Sequence, residues 1–327
     1  MTRAITLDTI REATPHVYAL GRRTPLVPLA PLAGDNELSG RIHVKLETLQ
    51  PIGSFKIRGA ANAVAALTSK QLAEGVWTVS AGNAAQGVAF AARRAAAPCR
   101  VMVIDTAPEA KVRAIERLGA TIVPASYDEC WRIVEQHEHD CLPGHFVHPF
   151  DDDRFISGNG TIGLELLDQL PAADAIVASV GGGGLLVGIA TAARALKPSI
   201  RIYSAEPETA APLAASLAMG EASNFPGWQA SFVDGCGGKS VTPTMWPLLR
   251  DTVDAAIVGS LDEIREAMRL IASGTRVIAE GAGACAVAAA LSGRAGSGII
   301  IAVVSGGNID ATTFTKIVTT DHATGHS

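Results

Sequence analysis

The chain of 327 residues is 48% hydrophobic and 18% charged, with 33 glycines, 5% aromatics and a formal net charge of −5. Abundant apolar residues with little net charge exclude a disordered chain. Glycine without a three-residue period excludes collagen, and the lack of a basic excess sets aside a nucleic-acid binder. The length suggests two domains, and the open question is where the excess of glycine is used.

The first residues, MTRAITLDTIREATPHV, carry acids early and no apolar core, so they do not read as a signal peptide. No apolar run approaches the ~20 residues of a membrane helix. The expected setting is the cytoplasm, with no membrane and no nucleic-acid partner. Cys99, Cys130, Cys141, Cys236 and Cys285 form no CxxC pair and read as thiols in a reducing compartment. Within Pro51–Ala60, PIGSFKIRGA, Ser54 reads as an N-cap that places Lys56 in the first turn of a helix. The apolar run Val76–Val79 leads into SAGNAAQG and the helical stretch Val88–Arg94.

Further along, Cys99–Ile104 reads as a buried strand and Pro108–Leu118 as a helix, with proline near its start and Gly119 at its end. Thr121–Pro124 is the next strand and Tyr127–His137 the next helix. The run EQHEHD reads as the polar end of that helix rather than as a metal site of His137 and His139 with Cys141. Ala175–Val180 is a strand entering four glycines, followed by helix Leu185–Ala195, strand Ile200–Ser204, helix Leu261–Ser273 and buried strand Ile299–Val304. The closing TTDHATGHS reads as a frayed polar tail. Strands and helices in alternation, with continuously apolar strands, predict an α/β fold with parallel sheets. The loop-like HPFDDDR near His148-Pro149 marks an expected change of domain.

Three small-residue clusters each follow an apolar strand. Ser179-Val-Gly-Gly-Gly-Gly-Leu185 leads into a helix, where converging backbone N–H groups and the helix N-terminus suit a phosphate. It lacks GK[ST], and Leu186 breaks the GxGxxG spacing. Ser80–Gly87 leaves N–H groups open at a helix start, which suits a carboxylate, and Ser305-Gly-Gly-Asn308 follows the last strand. All three fall at the carboxyl ends of strands, where open α/β sheets bind ligands. Lys56 alone would read as a solvated helix charge. In an apolar site its pKa would fall and it would become a nucleophilic amine.

PIGSFKIRGA resembles the lysine motif of the fold-type II pyridoxal-phosphate enzymes, most of all the serine/threonine dehydratase (ammonia-lyase) family. SAGNAAQGVA resembles that family's asparagine loop, SVGGGG its phosphate loop and SGGN its pyridine-contacting segment, in the same order over about residues 20–310. The resemblance implies a tryptophan synthase beta-like fold of two open parallel-sheet, three-layer domains with the cofactor between them. Residues 1–64 and 148–327 would form the large cofactor-binding domain, and 65–147 the small domain with the substrate loop. It further implies a Schiff base on Lys56, Phe55 packed on one face of the ring and Gly235 on the other. Asn83 would meet the ring hydroxyl, and Gly181, Gly182, Gly183 and Gly184 the phosphate. Ser80, Ala81, Gly82, Asn83 and Ala84 would grip the substrate carboxylate, with help from Ser240. Ser305 would meet the pyridine nitrogen; a hydroxyl there makes the ring a weaker electron sink than a carboxylate would, which favours prompt loss of a β-leaving group. The implied reaction is α,β-elimination of water from a β-hydroxy amino acid, threonine or serine by default, giving a 2-oxo acid and ammonia. A homodimer is implied as well.

The departures from the family pattern carry their own expectations. Ala81 replaces the serine with which the family's racemases reprotonate the α-carbon, so racemisation is not expected as the main activity. Ala84 replaces a frequent histidine and opens volume for a larger β-substituent, as in phenylserine or hydroxyaspartate. Glu206-Pro-Glu-Thr-Ala210 resembles a divalent-cation segment, with Glu206 and the Ala210 carbonyl as ligands for Mg or Ca; Pro212 stands where a further acid is expected, and local capping by Glu206 is the alternative. The chain ends soon after SGGN, so feedback through a C-terminal regulatory domain is not expected. A β-replacement synthase, a racemase and a non-catalytic pyridoxal-phosphate-binding protein stay open as alternatives.

Overall fold

A computed structural model describes residues 3–29, 40–137 and 142–319. Cys141, His139 and the polar tail from residue 320 onward lie outside the described residues.

In chain order the elements are α1 (Leu7–Leu20), β1 (Leu26–Pro28), β2 (Ile42–Leu46), a 3₁₀ turn (Glu47–Leu49), α2 (Lys56–Ala65), α3 (Ser69–Glu74), β3 (Val76–Val79) and α4 (Asn83–Arg94). Next come β4 (Cys99–Ile104), α5 (Glu109–Glu116), β5 (Thr121–Ala125), α6 (Tyr127–Gln136), β6 (His145–Phe146), α7 (Asp153–Gln169), β7 (Ala175–Ser179) and α8 (Gly184–Leu196). The last are β8 (Arg201–Pro207), α9 (Pro212–Met219), α10 (Trp246–Thr252), β9 (Ala255–Gly259), α11 (Leu261–Thr275), α12 (Gly281–Leu291), β10 (Ile300–Val304) and α13 (Ala311–Thr319). Every strand expected from the sequence is present within a residue or two of its expected bounds, except that β8 runs three residues further, to Pro207.

Two sheets organise these elements. The larger has the order β1-β2-β10-β7-β8-β9 and the smaller β5-β4-β3-β6. All pairings are parallel except β1 with β2, which run antiparallel at one edge, a departure from the purely parallel expectation. The continuously apolar strands follow from burial on both faces. In β7, Ala175 and Val177 pack with Ala284, Ala286 and Ile271 on the side of α11 and α12. Ile176 and Ala178 pack with Ile162, Leu166 and Ile189 on the side of α7 and α8. The smaller sheet repeats the arrangement: Val76, Val101 and Val103 share a core with α2 and α4, while Trp77, Val79 and Met102 share one with α6. Both sheets are thus covered by helices on both faces. Among the described residues no helix is long and apolar enough to cross a membrane.

The expected Ser54 cap of α2 is not formed. The N-cap is Phe55 without a side-chain bond, and the buried Ser54 Oγ has no partner. The Ser54 backbone instead pairs with Gly306 in an antiparallel bridge, so the helix starts a residue later than a Ser54 cap would place it. Lys56 still falls in the first turn. The helix ending at Gln136 is closed by His137 in the left-handed region (φ 53), and His137 Nε2 lies 2.8 Å from Asp151 Oδ2. Among the described residues no group of three or more His, Cys, Asp or Glu is placed to hold a metal. Cys99, Cys130, Cys236 and Cys285 are buried free thiols.

Candidate active site

The four motifs converge at the carboxyl ends of three strands. Ser80 follows β3, Gly181 lies just beyond β7, and Ser305 follows β10. The loop before Lys56 is laced to the segment after β10: Phe55 N–H donates to the Ser305 carbonyl (2.9 Å), Gly307 N–H to that of Gly53 (2.9 Å), and Asn308 Nδ2 to that of Ile52 (2.8 Å). Asn308 Nδ2 also donates to Asn83 Oδ1 (2.7 Å), and Asn83 Nδ2 donates to Glu280 Oε1 (2.7 Å). Glu280 N–H closes the circuit on the Gly306 carbonyl (3.0 Å). The lysine loop, the asparagine loop, the start of α12 and the SGGN segment therefore form one hydrogen-bonded frame.

The frame borders a cavity of about 380 Å³ whose wall includes Phe55, Lys56, Ser80, Ala81, Gly82, Asn83, Ala84, Gly182, Gly235 and Ser305. That size is ordinary for a small-molecule site. Lys56 Nζ donates to the Pro149 carbonyl (2.7 Å) and lies 5.2 Å from the Phe55 ring centre. Burial pushes its pKa down to about 8, because the charged ammonium loses more solvation than the neutral amine. The turn that carries Pro149 is braced by His148, the residue before it. His148 Nδ1 accepts from Asp151 N–H (2.8 Å), and its Nε2 donates to the Val134 carbonyl (3.0 Å). Burial keeps that imidazole neutral, with its pKa lowered to about 3.

Gly181 and Gly182 border an adjoining cavity of about 150 Å³ together with Gly237, Gly238, Ser240 and Thr242. Ser240 therefore sits beside the glycine loop and not with Ser80–Ala84 on the main cavity. Gly183 is the N-cap of α8 and makes no side-chain cap bond; of the four glycines, Gly181 and Gly182 border a cavity, while Gly183 packs against Leu249 and Gly184 against the Phe150 carbonyl. Gly82, at the N-terminus of α4, likewise caps without a side chain. Gly235 borders both cavities, and a Cβ there would stand 2.7 Å from the Ala282 Cβ.

Glu206 and Ala210 lie elsewhere. The two oxygens of the Glu206 carboxylate accept from Leu213 and Ala214 N–H (2.8 Å each) and cap α9, the alternative the sequence left open. The cation expectation is not supported, because both oxygens are committed to backbone donors. Burial raises the Glu206 pKa to about 7.

Several wall residues carried no motif. Glu280 is buried, and desolvation raises its pKa to about 7. No local motif marks it in the sequence. Lys111 of α5 pairs with Asp234, and both line the cavity. Helix α6 contributes Tyr127, Cys130, Trp131 and Val134.

A half-buried lysine, a helix N-terminus without a side-chain cap and a close-packed glycine thus gather at the carboxyl ends of the strands. The sequence matches the family described as pyridoxal-phosphate dependent enzyme over residues 17–306. It is 36% identical over 321 residues to an L-threonine ammonia-lyase of Thermotoga maritima, covering 96% of this chain and 78% of that protein. It is 35% identical over 329 residues to a serine racemase of Dictyostelium discoideum, covering 96% and 98%. The structure of maize serine racemase superposes with a TM-score of 0.85 at 35% identity, covering 96% of each chain. The chain belongs to the fold-type II pyridoxal-phosphate enzymes, in the serine/threonine dehydratase family.

Proposed function

We propose that the protein is a pyridoxal-phosphate-dependent ammonia-lyase that removes water from a β-hydroxy amino acid and yields a 2-oxo acid and ammonia. The reading covers threonine and serine and extends to bulkier 3-hydroxy amino acids. The observation that carries it is the position of Lys56, half-buried on the wall of a cavity shared with Ser305, Ala81 and the open N-terminus of α4.

The residues present fit the cofactor. Gly181–Gly184 and the start of α8 would hold its phosphate, Phe55 and Gly235 would flank its ring, and Asn83 and Ser305 would meet the ring's polar atoms. When bound, pyridoxal phosphate supplies the electron sink that makes the α-proton of an amino acid acidic. Lys56 serves first as the attachment point and then, freed, as the general base that takes this proton. Its desolvation leaves about a tenth of the amine neutral at pH 7, far more than an ordinary lysine would have. The N–H groups of Ser80–Ala84 hold the substrate carboxylate against the positive end of α4. Ser305 presents a hydroxyl where a carboxylate would support a long-lived carbanion, which favours early departure of the β-hydroxyl. Ala81 has no proton to return to the opposite face, which favours elimination over racemisation.

The test measures 2-oxo acid, ammonia and the enantiomer of the residual substrate, with L-threonine, L-serine and bulkier 3-hydroxy amino acids. The reading expects oxo acid and ammonia in equal amounts, and none from Lys56→Ala. Inversion of the substrate without oxo acid would favour a racemase and contradict it.

A further inference from the structure

The cavity is asymmetric in its chemistry. On the side of the sheet ends it carries the polar frame of Asn83, Glu280 and Asn308. Toward the smaller sheet the wall becomes apolar and aromatic, with Tyr127, Cys130, Trp131 and Val134 from α6, Ile104 from the end of β4, and Phe150. Ala84, buried at the start of α4, adds only a methyl group to this space.

The charges point the same way. Among the described residues of the wall the cations are Lys56 and Lys111, and the acids are Asp234 and Glu280. Lys111 is paired with Asp234, and Lys56 is assigned to the chemistry. A substrate with a second carboxylate would meet two acids and no uncommitted cation. An aryl ring would instead pack against the indole of Trp131, which borders both cavities, in the offset or edge-to-face contact that aromatic pairs favour.

We propose that the substrate is a β-aryl-β-hydroxy α-amino acid of the 3-phenylserine class, with its ring seated against Trp131; this rests on the lyase reading above. The chemistry balances without a redox partner. Lys56 takes the proton from Cα, the Cα=Cβ bond forms as the Cβ–O bond breaks, and the hydroxyl leaves as water with the proton that Lys56 took. The unsaturated amine that is released then takes up water and loses ammonia, giving a 3-aryl-2-oxo acid.

The experiment uses the holoenzyme and two readouts. One is kcat/KM for threo-3-phenylserine, L-threonine and 3-hydroxyaspartate. The other is calorimetric binding of L-phenylalanine, which has no β-leaving group, against L-alanine and L-aspartate. A hydrophobic pocket that gains or loses part of a side-chain contact discriminates by about 10–200-fold. The expected kcat/KM for phenylserine is therefore about tenfold or more above that for threonine, with L-phenylalanine bound correspondingly tighter than L-alanine. Trp131→Ala is expected to lower the phenylserine-to-threonine ratio by about tenfold. A threonine or hydroxyaspartate preference, or L-phenylalanine bound no tighter than L-alanine, would overturn the proposal. The binding arm needs only the wild-type protein, so it decides even if the Trp131 variant does not fold. Tight L-phenylalanine binding with no oxo acid from any substrate would uphold the aryl pocket and overturn the lyase reading instead.

Discussion

At the scale of single residues, the character of the site depends on what a few side chains lack. Ala81 lines the cavity beside the substrate loop and carries no ionisable proton. The hydroxyl groups on the described wall belong to Ser80, Tyr127 and Ser305. Of these, Ser80 Oγ accepts from Gly82 N–H (3.1 Å) within its own loop. Ala81→Ser is expected to raise the rate of racemisation relative to elimination, read as D-enantiomer per oxo acid from the same L-substrate. An unchanged ratio would contradict the role given to position 81. Lys56, Asn83 and Ser305 were legible in the sequence because each sits in a short motif directly beside a strand or helix start. Glu280 and Trp131 were not, because they reach the cavity from elements remote in sequence and carry no local pattern. Ser54 misled for a related reason: its spacing suits a cap, but its backbone is committed to Gly306, which no local pattern announces.

At the scale of elements, α2 is positioned by a buried ionic cluster. Arg58, two residues beyond Lys56, bonds Glu47 of the 3₁₀ turn and Glu165 of α7, and Lys45 of β2 also bonds Glu165. All four side chains are 2% exposed or less. Removing one member of such a cluster leaves an uncompensated buried charge, at about 3–5 kcal/mol. Arg58→Leu is expected to destabilise the fold by about that amount in urea unfolding, because Glu47 loses its cation and Glu165 keeps only Lys45. A change under about 1 kcal/mol, as for a surface pair, would show that the cluster does not anchor α2. The close approach of α12 to the SGGN segment belongs to this scale too. A Cβ on Gly283 would stand 2.3 Å from the Gly306 carbonyl oxygen. Gly283 thus serves a contact between segments that only the folded chain brings together. The strands themselves were legible, since burial on both faces leaves an unmistakable apolar run.

At the scale of the whole molecule, three buried groups, Glu206, Glu280 and His148, dominate the change of stability between pH 7 and 5. Glu206 and Glu280 have folded pKa values raised to about 7 from the usual 4.5. The folded state therefore holds protons that the unfolded state releases, and this stabilisation is complete below about pH 4.5 and lost as the pH rises through 7. His148, lowered from 6.5 to about 3, acts oppositely: its contribution is present above pH 6.5 and is lost as the pH falls toward 3. Between pH 7 and 5 two carboxyls favour the folded state on acidification and one imidazole opposes them. The thermal midpoint is expected to hold or rise from pH 7 to 5, with Glu206→Gln removing part of the gain. A midpoint that falls steadily across this window would contradict the balance.

The central claim is that Lys56 is the amine on which the whole site is built. Borohydride reduction of the purified holoenzyme, followed by peptide mapping, tests it most directly. The account predicts loss of the cofactor's visible absorbance and a pyridoxyl adduct on the peptide containing Lys56, absent in Lys56→Ala. An adduct on another lysine, or no adduct after loading with pyridoxal phosphate, would contradict it.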